Sequence, residues 1–214
     1  MALTIYGKTQ SRTSRVLWLA KELGLPFEHV SVDQRAGETR KPDFLKINPN
    51  GHIPAIRDGD LVLWESLAIN EYLTHKHGGP LAPKTSDDWG RFYMWTMWAM
   101  TEIEPQANLV YQNTVVLPED KRNPQVAASA REALKAPLGV LEGALAKSEY
   151  LLGSAFTVAD LNVACTLTNM PRVNYDLSPW PKVAAGLPRC TARPAAQKEA
   201  TTWEPLSKAL SPHS

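Results

Sequence analysis

The chain has 214 residues, enough for one large domain or two small ones, and a chain of that size buries roughly 70% of its unfolded surface. Its 23 basic and 22 acidic side chains almost cancel, to a net charge of +1, and they are interleaved along the chain. That excludes the Lys/Arg blocks with which proteins grip phosphate backbones, so no nucleic-acid partner is expected. Nor does any run of about 20 apolar residues suggest a membrane span. The two cysteines, Cys165 and Cys190, are too few for a disulfide framework and are not spaced as a close metal-ligand pair, so a reducing cytoplasm is expected and a metal is not.

In chain order, residues 2–6 (ALTIY) read as a strand and a turn at Gly7, with no leader-like apolar stretch. Residues 14–23 place Val16, Leu17, Leu19, Ala20 and Leu23 at helical spacing, and Gly24 and Pro26 stop that helix. Residues 27–33 predict a second strand, and residues 34–46 are charged and only weakly helical. Two apolar runs, 54–57 and 61–64, flank Asp58-Gly59-Asp60, the signature of a hairpin. A helix follows from Glu65 or Ser66 to about His77, ended by Gly78-Gly79-Pro80. The pattern supports an α/β domain with a mixed sheet over residues 1–79.

Residues 80–88 read as a linker, after which strand signals vanish. One long aromatic-rich helix is predicted over 89–112, a second over 125–148 interrupted by Pro137, and a third over 157–169. The third is apolar almost all round, as expected of a helix buried in a bundle. Short helical pieces punctuated by prolines fill 180–200, so residues 89–205 form an all-α domain and 206–214 a poorly ordered tail.

Four segments carry the chemistry. In the turn 6–15 (YGKTQSRTSR), Ser11 lies between a strand and a helix, where free amides and the positive dipole end favour an anion. Taken alone, Ser11 or Thr13 also reads as a plain helix cap. Ser11 and Ser14 have the spacing of a redox Cys pair, but neither is Cys, so no disulfide cycles there and the site suits another molecule's thiol. Segment 48–56 (NPNGHIPAI) holds Ile53-Pro54 ahead of the hairpin. In 64–73 (WESLAINEYL), Glu65-Ser66 opens a helix, and 156–161 (FTVADL) carries an acidic capping box, Thr157 with Asp160.

In this order, spanning residues 4 to 170, these segments resemble the glutathione transferase family, of the cytosolic, bacterial-like kind with a Ser or Cys active site as in the theta, zeta and beta classes. The resemblance implies a thioredoxin-like glutathione-binding domain followed by an all-α domain that receives the second substrate. It implies Ser11 as the catalytic hydroxyl that stabilises the glutathione thiolate, with Ser14 as the other candidate. It implies a cis Ile53–Pro54 bond, with the Ile53 backbone pairing the cysteinyl part of glutathione and His52 at its glycyl end. The family pattern more often has Lys or Gln at the position of His52, which therefore brings one hydrogen bond without a fixed charge. Glu65 would take the γ-glutamyl ammonium and Ser66 its carboxylate.

Residues 101–105 (TEIEP) resemble the beta-class pattern, in which Glu102 would reach across a homodimer interface to the same ammonium. Glu104 and Tyr111 would line the second-substrate pocket. The implied reaction is attack of glutathione thiolate on a small apolar electrophile, with glutathione as co-substrate. Isomerase, dehalogenase or ether-cleaving chemistry, and a noncatalytic binding role, remain open alternatives on the same fold.

Overall fold

The structure, a computed structural model, describes residues 3–200, so the predicted tail after Pro205 lies outside the described residues. Strand β1 (Leu3–Tyr6) buries Leu3 and Ile5 on alternate positions, as the two-residue period of a strand requires. Helix α1 (Thr13–Glu22) carries the chain back, with Val16, Leu17, Leu19 and Ala20 buried. Strand β2 (Phe27–Val30) then pairs parallel to β1. It stops short of the predicted Asp33, whose carboxylate accepts the N–H groups of Arg35 and Ala36 at 2.9 and 3.3 Å and turns the chain. The weakly helical stretch resolves into a 3-10 turn (Glu38–Arg40) and the one-turn helix α2 (Pro42–Leu45), anchored by buried Thr39 and Phe44.

Strands β3 (Ala55–Asp58) and β4 (Leu61–Trp64) form the predicted hairpin. Gly59 in its turn has φ +62°, a conformation that costs glycine nothing. β3 also pairs antiparallel with β1, giving a mixed sheet of order β2-β1-β3-β4. Helix α3 (Ser66–His77) packs on α1 through its buried face, which includes Leu67, Ile69 and Leu73. It is tied to the hairpin by Tyr72 Oη and Lys76 Nζ, which donate to Asp58 Oδ2 at 2.9 and 2.5 Å. The Lys76 bond above all, with that from Tyr72, holds the Asp58 carboxyl below its ordinary range.

The chain divides into two compact units, one running up to Ala82 and joined by the segment from Arg193 onward, the other Pro83–Ala192. In the second unit α4 (Ser86–Trp98) starts earlier than predicted, on a capping box between Thr85 and Asp88. The single helix expected over 89–112 is α4, a π-helical turn (Ala99–Ile103), α5 (Glu104–Tyr111) and a second π-helical turn (Gln112–Val116). Pro105 accounts for the first widening, since it has no N–H to return to the Thr101 carbonyl and its ring crowds that oxygen.

The helix expected over 125–148 is two, α6 (Pro124–Ala133) and α7 (Lys135–Leu145). The break falls so that Pro137 sits in the first turn of α7, where a missing N–H costs least. Helix α8 (Val158–Leu167) is buried at all ten positions. Asp160 opens it, accepting the N–H and the hydroxyl of Thr157, both at 2.9 Å, and the Leu151 N–H at 2.7 Å. Helices α9 (Pro181–Thr191) and α10 (Pro194–Ala200) are the proline-punctuated pieces expected there. Among the described residues no helix is long and apolar enough to cross a membrane.

The sequence pattern grouped residues 193–200 with the helical domain, whereas α10 packs on α1 in the first unit. Arg193 grips Glu22 with two bonds of 2.7 and 2.8 Å, and Trp18 Nε1 adds a third at 3.0 Å. Burial alone would raise the Glu22 carboxyl, but the bonds from Arg193 and Trp18 outweigh it and the net shift is downward. The pair therefore stabilises the fold above the ordinary carboxylate range and loses its contribution as pH falls through the lowered value. Glu22→Ala is expected to cost about 1–3 kcal/mol at neutral pH. Urea unfolding should show this difference shrinking in acid, and a difference that persists there would contradict the assignment.

Candidate functional site

The register of the sheet assembles the site. Val30, Tyr6, Ala55 and Trp64 form one rung across all four strands. The chain leaves or enters that rung through Gly7–Ser11, through Ile53–Pro54 and through Glu65–Ser66, so three distant segments open on the same end of the sheet. Tyr6 and Trp64 stand two strands apart, about 10 Å, which is the scale of a short peptide. Gly7 and Ile53 are close neighbours, since a Cβ on Gly7 would lie 3.0 Å from that of Ile53. The Ile53–Pro54 peptide is cis.

The turn after β1 is tightly bonded. The Lys8 carbonyl accepts both the N–H and the hydroxyl of Ser11, at 3.2 and 2.6 Å. Ser11 Oγ in turn accepts the Thr13 N–H at 3.1 Å and lies 2.9 Å from Thr13 Oγ1. Ser14 Oγ donates to the Ser11 carbonyl at 2.9 Å, so its proton is turned back into the helix start. His29 bonds the Gly7 carbonyl at 2.7 Å, and the Lys8 ammonium pairs with Asp33 at 2.5 Å. That bond leads the causes that hold the Asp33 carboxyl below its usual range.

At the third segment, Glu65 has φ +75° and ψ 113°, while Ser66, the first residue of α3, is buried. A non-glycine residue in that region costs of order 1–3 kcal/mol and persists where its surroundings demand it. The exposed Glu65 side chain and the buried start of α3 thus meet at one point. His52 is exposed; its carbonyl accepts Asn48 Nδ2 at 2.7 Å and its ring nitrogen Nδ1 lies 3.3 Å from Gln34 Nε2.

The remaining candidates belong to the second unit. Glu102 is exposed on the first π-helical turn, and Glu104 is buried at the start of α5. Two residues apart on a helix, they face different ways. Glu104 and Tyr111 are seven apart and share a face. Tyr111 is half-buried, and its hydroxyl accepts Arg172 Nη1 at 2.8 Å. A small apolar cavity of about 30 Å³ lies between α7, α8 and α9 around Leu141, Leu167 and Leu187, and neither Glu104 nor Tyr111 lines it.

Residues 1–75 match the family description "Glutathione S-transferase, N-terminal domain", and residues 99–194 match "Glutathione S-transferase, C-terminal domain". Glutathione S-transferase 3 of Zea mays is 37% identical over 206 residues, 92% of either chain. The chain belongs to the glutathione S-transferase family. Membership makes it an enzyme of the transferase class with a thioredoxin-like first domain and a helical second one. Glutathione S-transferase GstB of Escherichia coli is 29% identical over 200 residues, 92% of this chain and 96% of that one. A crystal structure of the theta class glutathione S-transferase of Xanthomonas axonopodis pv. citri, with glutathione bound, superposes with TM-score 0.86 at 29% identity, over 92% of this chain and 96% of that one.

Two features of the candidate site escape a reading of the sequence. The Thr13 hydroxyl beneath Ser11 is one, because either residue alone reads as a cap. The positive φ of Glu65 is the other, because nothing in a Glu-Ser pair announces it; only its place right after a strand hints at an abrupt change of direction.

Proposed function

We propose that this glutathione transferase binds its co-substrate across the open end of the sheet, sulfur at Ser11, cysteinyl backbone along Ile53, γ-glutamyl group at Glu65 and Ser66, and glycyl carboxylate near His52. The observation that carries the reading is Glu65, held at a positive φ next to a buried Ser66. The arrangement presents a carboxylate for the ammonium and, beside it, a hydroxyl and free amides at a helix N-terminus for the carboxylate. The thiolate then attacks a small apolar electrophile received by the helical domain, with Glu104 and Tyr111 lining the pocket. A new S–C bond forms while the displaced group, or a π bond of the electrophile, takes the electron pair. The test is a backbone NMR titration with glutathione. Shifts concentrated at the Ser11, Ile53 and Ser66 amides are expected; shifts confined to other parts of the chain would refute the placement. A stable conjugate as end product would separate this chemistry from thiol-dependent isomerisation.

A homodimer, with Glu102 reaching the partner's γ-glutamyl site, completes the proposal. Met94 and Met97 on α4 are 54% and 60% exposed, and three residues apart they share one helix face. Apolar side chains so exposed suit an interface better than water. The double variant Met94→Lys, Met97→Lys is expected to weaken the dimer at least roughly tenfold in sedimentation velocity, from the cost of burying charge in an apolar contact. An unchanged dimer would place the interface elsewhere. The setting is cytoplasmic detoxification, which suits the two buried thiols, Cys165 and Cys190.

A further inference from the structure

Ser11 has one proton and two acceptor positions. Its proton goes to the Lys8 carbonyl at 2.6 Å. The Thr13 N–H fills one acceptor position at 3.1 Å. The remaining contact, 2.9 Å between the hydroxyls of Ser11 and Thr13, then has only one consistent polarity: Thr13 donates and Ser11 accepts. Thr13 is completely buried, and its hydroxyl sits where a side chain on Gly7 would be, 2.1 Å from a Cβ built there. Gly7 itself is at φ +137°, so neither space nor backbone tolerates a larger residue, and Thr13 Oγ1 has a reserved place.

We infer that Thr13 is a positioning residue for catalysis, its buried hydroxyl donating to Ser11 Oγ so that the Ser11 proton, held on the Lys8 carbonyl in the absence of a thiolate, is strengthened as a donor to the glutathione sulfur. The inference rests on the proposal that the sulfur binds at Ser11. Two donors on one hydroxyl oxygen withdraw electron density from it and polarise its own O–H, the cooperative effect of a hydrogen-bond chain. They also occupy the other two positions on the oxygen, so the proton cannot turn toward Thr13. A thiolate at the site competes with the Lys8 carbonyl for this single proton, and as the charged acceptor it forms the stronger bond. No proton is transferred; one hydrogen bond replaces another. The charged groups around the turn, Lys8 with Asp33 and His29 on the Gly7 carbonyl, make no part of this contact.

The experiment follows thiolate absorbance of the enzyme–glutathione complex against pH in wild type, Thr13→Val, Thr13→Ala, Thr13→Ser and Ser11→Ala, together with the pH profile of kcat on a chromogenic electrophile. Thr13→Val is expected to raise the pKa of the bound thiol by about half a unit and to lower kcat at neutral pH about threefold, as loss of one cooperative bond implies. The deficit should close at high pH, and glutathione affinity should hold. Thr13→Ala, which adds no bulk, should titrate as Thr13→Val does, and Thr13→Ser, which keeps the hydroxyl, should titrate as wild type. If Ser11→Ala shifts the titration while Thr13→Val and Thr13→Ala do not, the inference fails and the role of Ser11 stands. If Ser11→Ala also titrates as wild type, the underlying reading fails and takes the inference with it. A loss in Thr13→Val that is equal at every pH would assign Thr13 to folding alone.

Discussion

Ser11→Ala is expected to raise the pKa of enzyme-bound glutathione by about one to two units, because a hydrogen bond to a charged group contributes about 1.5–3 kcal/mol and each unit corresponds to about 1.4 kcal/mol. The bond favours the thiolate over the thiol, so its loss leaves less thiolate at neutral pH. Turnover there should fall roughly 10- to 100-fold, in step with the titration, and recover as pH rises. Glutathione affinity should change less, since in the proposed placement Glu65, Ser66 and the Ile53 backbone hold the rest of the tripeptide. The substitution also removes the acceptor for the Thr13 N–H, at a cost of about 1 kcal/mol of stability, typical of a lost helix cap. Thiolate absorbance against pH decides the matter. Coincident curves for wild type and variant would reduce Ser11 to a cap, and the donor would then be a backbone amide, or Ser14 after release of its bond to the Ser11 carbonyl.

Ser66→Ala acts on binding instead. Ser66 is 4% exposed at the first position of α3, so its hydroxyl and amide offer a dry, preoriented pair of donors to a carboxylate. Losing one charge-assisted bond should weaken glutathione binding roughly 10- to 100-fold, with little change in melting temperature. Its neighbour supplies a control of opposite sign. Glu65→Gly removes the proposed partner of the ammonium and relieves a backbone conformation that costs about 1 kcal/mol or more, so it should bind worse and melt higher. Calorimetric titration and thermal unfolding on both variants would tell a binding site from a helix start. Undiminished affinity in both would count against the γ-glutamyl assignment.

The first domain was legible because its signals are local. Asp58-Gly59-Asp60 between two apolar runs prescribes a hairpin, and Gly24 with Pro26 prescribes the end of α1. The order of the elements followed from these, and with it the opening of the Ser11, Ile53 and Ser66 segments on one end of the sheet. Where the reading fell short, the cause was a residue whose effect depends on its neighbours. Pro105 and Pro137 were visible, but whether a proline kinks, widens or starts a helix depends on packing around it. Asp33 looked like the end of a strand and is the start of a turn. Glu104 and Glu102 are alike in sequence and differ in burial because of the face each occupies. The polarity of the Ser11–Thr13 contact needs a full count of protons, which only coordinates allow.

The bond between Arg193 and Glu22 joins residues 171 apart in the chain. During synthesis, at about 5–20 residues per second, Glu22 waits on the order of 10–30 s before its partner exists. For that interval α1 carries a carboxylate without its guanidinium and a face without α10. The helical unit is made entirely within the interval, so in the order of translation it is an insertion into a domain left open. A nascent chain halted after α9 should therefore present Glu22 and the neighbouring face of α1 to proteases and chaperones, and synthesis of the segment from Arg193 onward should close them off.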